Sequence, residues 1–297
     1  MAISKLLPRQ DKAQLGIAMM MLAYLFFSLI DVSVKWMMML GVPVMQLAFM
    51  RYFGHFSIAV ARSIKDGSAD FYVARPYISL VLLRSFLVVL ATTLNFYALN
   101  FLSLTVKGSI MFSSPIVVCA LSGPLLGERV GRWRWFAILM GFCGVLLVMR
   151  PFGAEFHWAT LLIMHNAIAF GVFSIITRKL SGDVPAKTMQ LYLGGLGTVT
   201  LLPLGIWTWQ NPETFLGWAI MLSLGFWAWL GHEAFAHAHR FAAAHVLMPF
   251  TYSGLIYLAI LGFLVFGSSP DSMTLLGAFI IVISGLIIWW RENLRND

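Results

Sequence analysis

The sequence predicts an all-α membrane protein of ten transmembrane helices in two inverted five-helix repeats. Three observations lead there. Hydrophobic residues make up 60% of the 297-residue chain and charged residues 11%, against roughly 25% charged in a soluble domain. So much apolar surface cannot be hidden in a core, which makes the bilayer the solvent. The apolar residues fall into ten segments of spanning length joined by short connections. Ten segments divide into two halves of five, and an odd number per half makes related halves enter the membrane in opposite senses. Inverted repeats with a site at their interface are an architecture of secondary transporters.

The elements follow in order. Residues 1–14, MAISKLLPRQDKAQ, are basic and polar and are expected to be a cytoplasmic segment. The apolar stretch after them exceeds the roughly 7–15 residues of a signal peptide's central region, so it is expected to stay as a first span. That span is read at 15–37, and others follow at 43–61, 77–100, 104–123 and 132–150, completing a first repeat over 15–150. The second repeat, over 151–290, holds spans at 158–178, 186–208, 217–238, 245–266 and 272–290, and a cytoplasmic tail covers 291–297. Cys119 and Cys143 both lie inside spans, so neither a disulfide framework nor metal-ligand spacing is present.

The formal charge of +8 would suggest nucleic acid in a soluble chain. Here its distribution is a topology signal. With ten spans both termini lie on one side, and that side collects fifteen of the Lys and Arg residues, among them Arg62, Lys65, Arg129 and Lys187. The opposite side has Arg150 alone. Positive residues are retained in the cytoplasm, which places both termini there. The expected partners are membrane lipid and a small-molecule substrate, with no nucleic acid and no cofactor.

The two halves repeat each other in sequence. Spans four and five read FSSPIVVCALSGPLLGERVGRWRWFAILMGFCGVLLVMRP, and spans nine and ten read MPFTYSGLIYLAILGFLVFGSSPDSMTLLGAFIIVISGLIIWW. Each has a proline near its start, a glycine-marked turn (Gly127, Gly267) and a last helix ending in Gly-Val-Leu-Leu or Gly-Leu-Ile-Ile. FFSLIDVSVKW with Asp31 and Lys35, QLAFMRY with Arg51, and LRSFLVVLATTLNFYALNFLSL with Arg84 precede them. In these stretches, over nearly the whole chain, the sequence resembles the drug/metabolite transporter superfamily in its EamA-type ten-helix branch. By overall character it most resembles the YddG-type exporters of aromatic and other amino acids. One departure is that the branch's Gly-Glu turn is present as Gly127-Glu128, whereas the second copy reads Gly267-Ser268. The resemblance implies export of small polar metabolites, amino acids including aromatic ones, by alternating access across the cytoplasmic membrane.

Six charged residues sit inside predicted spans: Asp31, Lys35, Arg51, Arg84, Lys107 and Glu233. Each costs roughly 2.5–3.5 kcal/mol on insertion scales near the bilayer centre, so each should face protein or water. On the first span Tyr24, Ser28, Asp31 and Lys35 form one polar stripe. Asp31 can pair with Lys35 one turn away, or with Arg51 or Lys107 from other helices. With Glu233 these residues form a charge network, read either as packing or as gating. Arg84, Thr92 and Asn95 share a stripe on the third span, and His165, Asn166, Phe170 and Phe173 can face them from the sixth. Donors, acceptors and an apolar wall are what a cavity for an amino acid needs; Tyr252 lies on another helix expected to line the centre. The alternative for each is interhelical hydrogen bonding, worth roughly 0.6–2 kcal/mol in membranes.

The eighth span ends in GHEAFAHAHRF. A zinc-protease helix places two His four apart, whereas His232 and His237 are five apart and so about 140° from each other around the helix. No metal site and no catalytic residues are expected. Pro115 and Pro249 interrupt the fourth and ninth spans at matching places, and paired helix breaks point to a transporter's site. A central cavity is expected between spans 1, 3, 4, 6, 8 and 9. The alternatives within transport are efflux of cationic drugs, which favours an unpaired carboxylate, and a passive channel.

Overall fold

A computed structural model describes residues 13–65, 72–111, 113–114, 116–118, 121, 132–149, 156–180, 183–242 and 247–293. Its principal helices are α1 (Ala13–Met39), α2 (Val44–Lys65), α3 (Arg75–Ala98), α4 (Leu104–Met111) and α5 (Arg132–Met149) in the first half. The second half has α6 (Ala159–Leu180), α7 (Ala186–Trp207), α8 (Phe215–Phe241), α9 (Ser253–Phe266) and α10 (Ser272–Asn293). The fold is all-helical, with the ten transmembrane helices arranged as two inverted repeats of five. Eight of these helices end within four residues of the bounds read in the sequence; α4 is described as continuous helix only to Met111 of the 104–123 read, and α9 begins at Ser253, eight residues after the start read at 245. Pro115, Cys119 and the Gly127-Glu128 turn lie outside the described residues.

Local chemistry sets the helix ends. The hydroxyl oxygen of Thr214 accepts from the Gly217 N–H at 3.1 Å at the start of α8. The Asp271 carboxylate accepts from the N–H groups of Met273 and Thr274 at 2.9 and 3.0 Å at the start of α10. Both satisfy donors that a first helical turn leaves free. Pro249 lies in a 3-10 segment, Met248–Tyr252, that leads into α9. Gly267 ends α9 with φ +64°, a left-handed conformation that glycine takes without a Cβ penalty.

The outer surface is apolar. On α9, Ile256, Ile260, Phe263 and Leu264 are all exposed, a stripe that suits lipid and that a water-soluble monomer rarely shows. Trp133, Trp135, Trp158, Trp207 and Trp290 are exposed near helix ends, as an interfacial aromatic belt requires. Helices α1, α3, α6, α7 and α8 contain stretches long and apolar enough to cross a membrane. Among the described residues the apolar stretches of α4, α5, α9 and α10 are shorter, and α2 is interrupted by Arg51, His55 and Arg62.

Contacts between helices obey an exchange rule. α1 packs on α8, and α6 packs on α3. α2 packs on α8, and α7 on α3; α1 packs on α9, and α6 on α4. The pairs α2–α7, α4–α9 and α5–α10 join counterparts directly. Swapping the first five helices for the second five therefore maps this set of contacts onto itself, which is what a pseudo-two-fold axis in the membrane plane produces.

Glycines set the closest crossings. A Cβ on Gly225 would stand 2.4 Å from the Cα of Gly54, so α2 and α8 touch backbone to backbone there. On the axis, a Cβ on Gly144 would meet the Gly277 carbonyl oxygen at 2.8 Å. Small residues at such points gain packing in lipid, where water gives helices no reason to associate. A polar clamp adds to this, since the Gln46 amide donates to the Gln210 carbonyl and accepts from its N–H, both at 2.8 Å. It ties the start of α2 to the α7–α8 connection.

Candidate functional site

A cavity of about 110 Å³ lies between the repeats, with lining from α1, α3, α4, α6, α8 and α9 and from Arg51 of α2. Those are the six helices expected from the sequence, plus one residue from a seventh. The volume is of the order of the roughly 150 Å³ engineered cavity that accepts benzene. A larger metabolite needs the helices to part.

One wall is held by Asp31. Its carboxylate accepts from the Lys107 ammonium of α4 and, at 3.0 Å, from the Asn95 side-chain amide of α3. All three side chains are buried. The partner of Asp31 is thus Lys107 from another helix. Lys35, one turn along α1, turns away to donate to the backbone carbonyls of Leu102 and Leu99 at 2.5 and 3.4 Å. Those carbonyls lie at and beyond the C-terminal end of α3, where a cation offsets the partial negative charge of a helix end. The Tyr52 hydroxyl completes this wall, donating its one proton to the Val88 carbonyl at 3.0 Å with the Thr92 hydroxyl 2.9 Å away as the second hydrogen-bond partner.

The second wall centres on Arg51 and His232. Arg51 Nη2 and His232 Nε2 are 3.1 Å apart. A guanidinium only donates, so Nε2 is the acceptor and the neutral ring carries its proton on Nδ1. Arg51 also stacks over the Tyr52 ring at 4.6 Å. Its Nη1 is buried and has no hydrogen-bond partner among the described residues, as is also true of His232 Nδ1 and Asn95 Oδ1. The apolar part of the lining includes Phe27 and Phe170; the Phe27 and His232 rings are 5.1 Å apart.

The remaining residues singled out in the sequence divide cleanly. Asn166 and Phe170 line the cavity beside Thr92 and Asn95. His165, next to Asn166 on α6, is exposed on the other side of the helix. Arg84 is 1% exposed but does not border the cavity. Its Nε donates to the Thr177 hydroxyl at 2.8 Å, its Nη1 to the Met189 carbonyl at 3.4 Å, and its guanidinium lies 4.5 Å from the Phe173 ring centre. That geometry ties α3 to α6 and α7. Phe173 is fully buried, packed on Phe170 and Phe235. Tyr252 is buried behind the lining with its hydroxyl 3.4 Å from the Ile281 carbonyl. Glu233 lies off the cavity, 3.7 Å from Arg62 and 3.3 Å from His237. No group of three or more metal-ligating side chains occurs among the described residues.

His232 enters the cavity wall without having been assigned to it from the sequence. The signal was present: Gly231, His232, Phe235, Ala238 and His239 are all buried and recur at helical spacing, so the histidine belongs to the inward stripe of α8.

Comparisons with known proteins agree with this architecture. The pattern of the EamA-like transporter family matches the chain twice, at residues 14–150 and 157–290. A riboflavin transporter of Vibrio cholerae serotype O1 is 32% identical over 219 residues, covering 73% of this chain and 74% of its own. An S-adenosylmethionine uptake transporter of Rickettsia prowazekii is 26% identical over 283 residues, covering 94% and 93%. A pseudopaline exporter of Pseudomonas aeruginosa is 24% identical over 214 residues, covering 71% and 75%. A protein crystal structure superposes with a TM-score of 0.64 at 16% identity, covering 94% of this chain and 96% of its own; at that identity the likeness concerns the fold.

Proposed function

The chain belongs to the EamA-like transporter family, and from that premise we propose that it exports small polar metabolites, amino acids including aromatic ones, by alternating access. It is a multi-pass membrane protein; in this reading it sits in a bacterial-type cytoplasmic membrane with both termini in the cytoplasm. The observation that carries the reading is the cavity between the repeats. Its lining sets Asn95, Asn166 and Thr92 beside Phe27 and Phe170, polar groups to orient a small molecule and an apolar wall for its side chain. The six helices around it exchange in pairs, α1 with α6, α3 with α8 and α4 with α9, so rocking one repeat against the other would open it first to one side and then to the other.

Within this reading Asn95, Asn166, Thr92 and Phe170 contact substrate. Arg84, Phe173 and Tyr252 support the wall from behind, and Asp31, Lys107 and Lys35 act on closure. Efflux of cationic drugs fits less well, because the lining's carboxylate, Asp31, is already neutralised by Lys107. Riboflavin is a second candidate, favoured by the 32% identity to a riboflavin transporter; its flat ring system would need the apolar wall and its hydroxylated chain the amides.

Proteoliposomes loaded with labelled amino acids or riboflavin, with and without a proton gradient, test the reading. Saturable exit accelerated by unlabelled substrate outside is the expected result for a carrier. Exit of riboflavin alone would select the second candidate. Linear, unsaturable flux would replace the carrier by a channel.

A further inference from the structure

We propose that Arg51 is the docking point for a carboxylate, so that the cavity prefers an anionic or zwitterionic molecule to its neutral isostere. The inference deepens the transport reading, on which it rests, by assigning one residue to one chemical group. It follows from an account of the interior charges. Lys107 is paired with Asp31. Lys35 is spent on the carbonyls of Leu99 and Leu102. Arg84 is spent on the Thr177 hydroxyl, the Met189 carbonyl and the face of Phe173. Arg51 has a neutral imidazole on Nη2, a ring against one face, and a buried Nη1 with no partner among the described residues.

Arg51 therefore holds a full positive charge, 5% exposed, that no carboxylate among the described residues neutralises. Of the described acids, Asp31 serves Lys107 and Glu233 lies with Arg62 and His237, while Asp183, Glu213 and Asp271 lie in the connections between helices and Glu292 lies at the C-terminal end of α10. A buried charge left in this state is strongly unfavourable. Arg51 is one of the residues that line the cavity, so a ligand there can supply what the protein withholds. A carboxylate matches it, because planar N–H donors and carboxylate oxygens form short charge-assisted bonds. The same lining offers Asn95 Oδ1 as an acceptor without a partner among the described residues, suited to the ammonium of a zwitterion. His232 has a positioning role, fixing the guanidinium through Nη2.

The test uses the full chain in lipid nanodiscs, with benzoate and benzamide as probes of one shape and different charge. Binding is read from the thermal unfolding midpoint and from tryptophan fluorescence, in chloride and in chloride-free gluconate buffer. Benzoate is expected to bind at least roughly tenfold more tightly than benzamide, with the preference falling below about twofold in Arg51→Gln and being partly kept in Arg51→Lys. Equal affinity for the two probes in the unmodified protein overturns the proposal and needs no mutant to fold. So does a preference that survives in Arg51→Gln, or a response to chloride alone. If benzoate discriminates through Arg51 while no amino acid leaves the proteoliposomes, the subsite stands and the amino-acid reading falls. The reverse pattern removes the subsite and leaves that reading in place.

Discussion

Replacing Asp31 by Asn isolates the interhelical ion pair. The carboxylate and the Lys107 ammonium each have side chains only 8% exposed, so losing one charge strands the other away from water. Breaking a buried pair by removing one partner costs about 3–5 kcal/mol. The carboxylate serves Asn95 through Oδ1 and Lys107 through Oδ2, whereas the new amide has one oxygen and turns its NH2 toward the other donor, so the expected loss is about 3–5 kcal/mol. Adding Lys107→Met removes the stranded ammonium. The double variant should recover about 2 kcal/mol of that loss, within the coupling expected of residues in direct contact. Lys35→Met is the control. Its ammonium sits on the Leu102 and Leu99 carbonyls at 2.5 and 3.4 Å, so adding it to Asp31→Asn should give no recovery. Unfolding in mixed micelles with graded SDS measures these differences. A Lys107 double variant no more stable than Asp31→Asn alone would refute the pairing argument. Equal rescue by Lys35→Met would refute it from the other side.

Four further outcomes are expected. Gly225→Ala puts a methyl 2.4 Å from the Gly54 Cα, so the α2–α8 crossing must spread; a loss of about 1–3 kcal/mol in the same micelle assay is expected. Arg84→Met should lower stability and reduce flux of every substrate alike, because its bonds run to Thr177 and Met189; loss confined to one class of substrate in proteoliposomes would return it to the binding surface. Phe170→Ala should change the preference among amino acids more than total flux, measured in the same vesicles, since its ring borders the cavity. With Cys119 and Cys143 replaced, a cysteine at Asn211 should react in intact cells with an impermeant reagent and one at Ser68 should not; the opposite pattern would invert the topology drawn from the cation asymmetry.

The fold was readable because the bilayer imposes one rule on every span, namely a long apolar run ended by polar residues. The lining helices were readable for a related reason, since intramembrane polar side chains must turn inward. Individual contacts depend on how helices cross, and a single helix does not encode that. Arg84 and Asn95 share one stripe of α3, yet eleven residues advance about 16 Å along the axis. Over that distance the stripe leaves the cavity and enters the contact with α6 and α7, so Asn95 lines the space and Arg84 does not. Likewise His165 and Asn166, adjacent in sequence, point about 100° apart, and only Asn166 faces in. For Asp31 the sequence offered three cations, and the choice of Lys107 rests on where α4 begins relative to α1.

The exchange rule among helix contacts bears on the energy balance of the proposed alternating-access cycle. If the two repeats were identical, swapping them would convert an outward-open molecule into an inward-open one of equal free energy, and both would be equally populated. Any preference must come from residues that one repeat has and the other lacks. Asp31 on α1 is such a residue, because α6, its counterpart, contains no Asp or Glu at all. The contact of Asp31 with Lys107 and Asn95 therefore has no counterpart on α6, and under the proposed alternating-access reading its free energy would weigh on one basin only. Each 1.4 kcal/mol of that weight shifts the ratio of the two basins about tenfold. Under that reading one acid on one helix would act as a ballast, setting which door stays shut when nothing is bound.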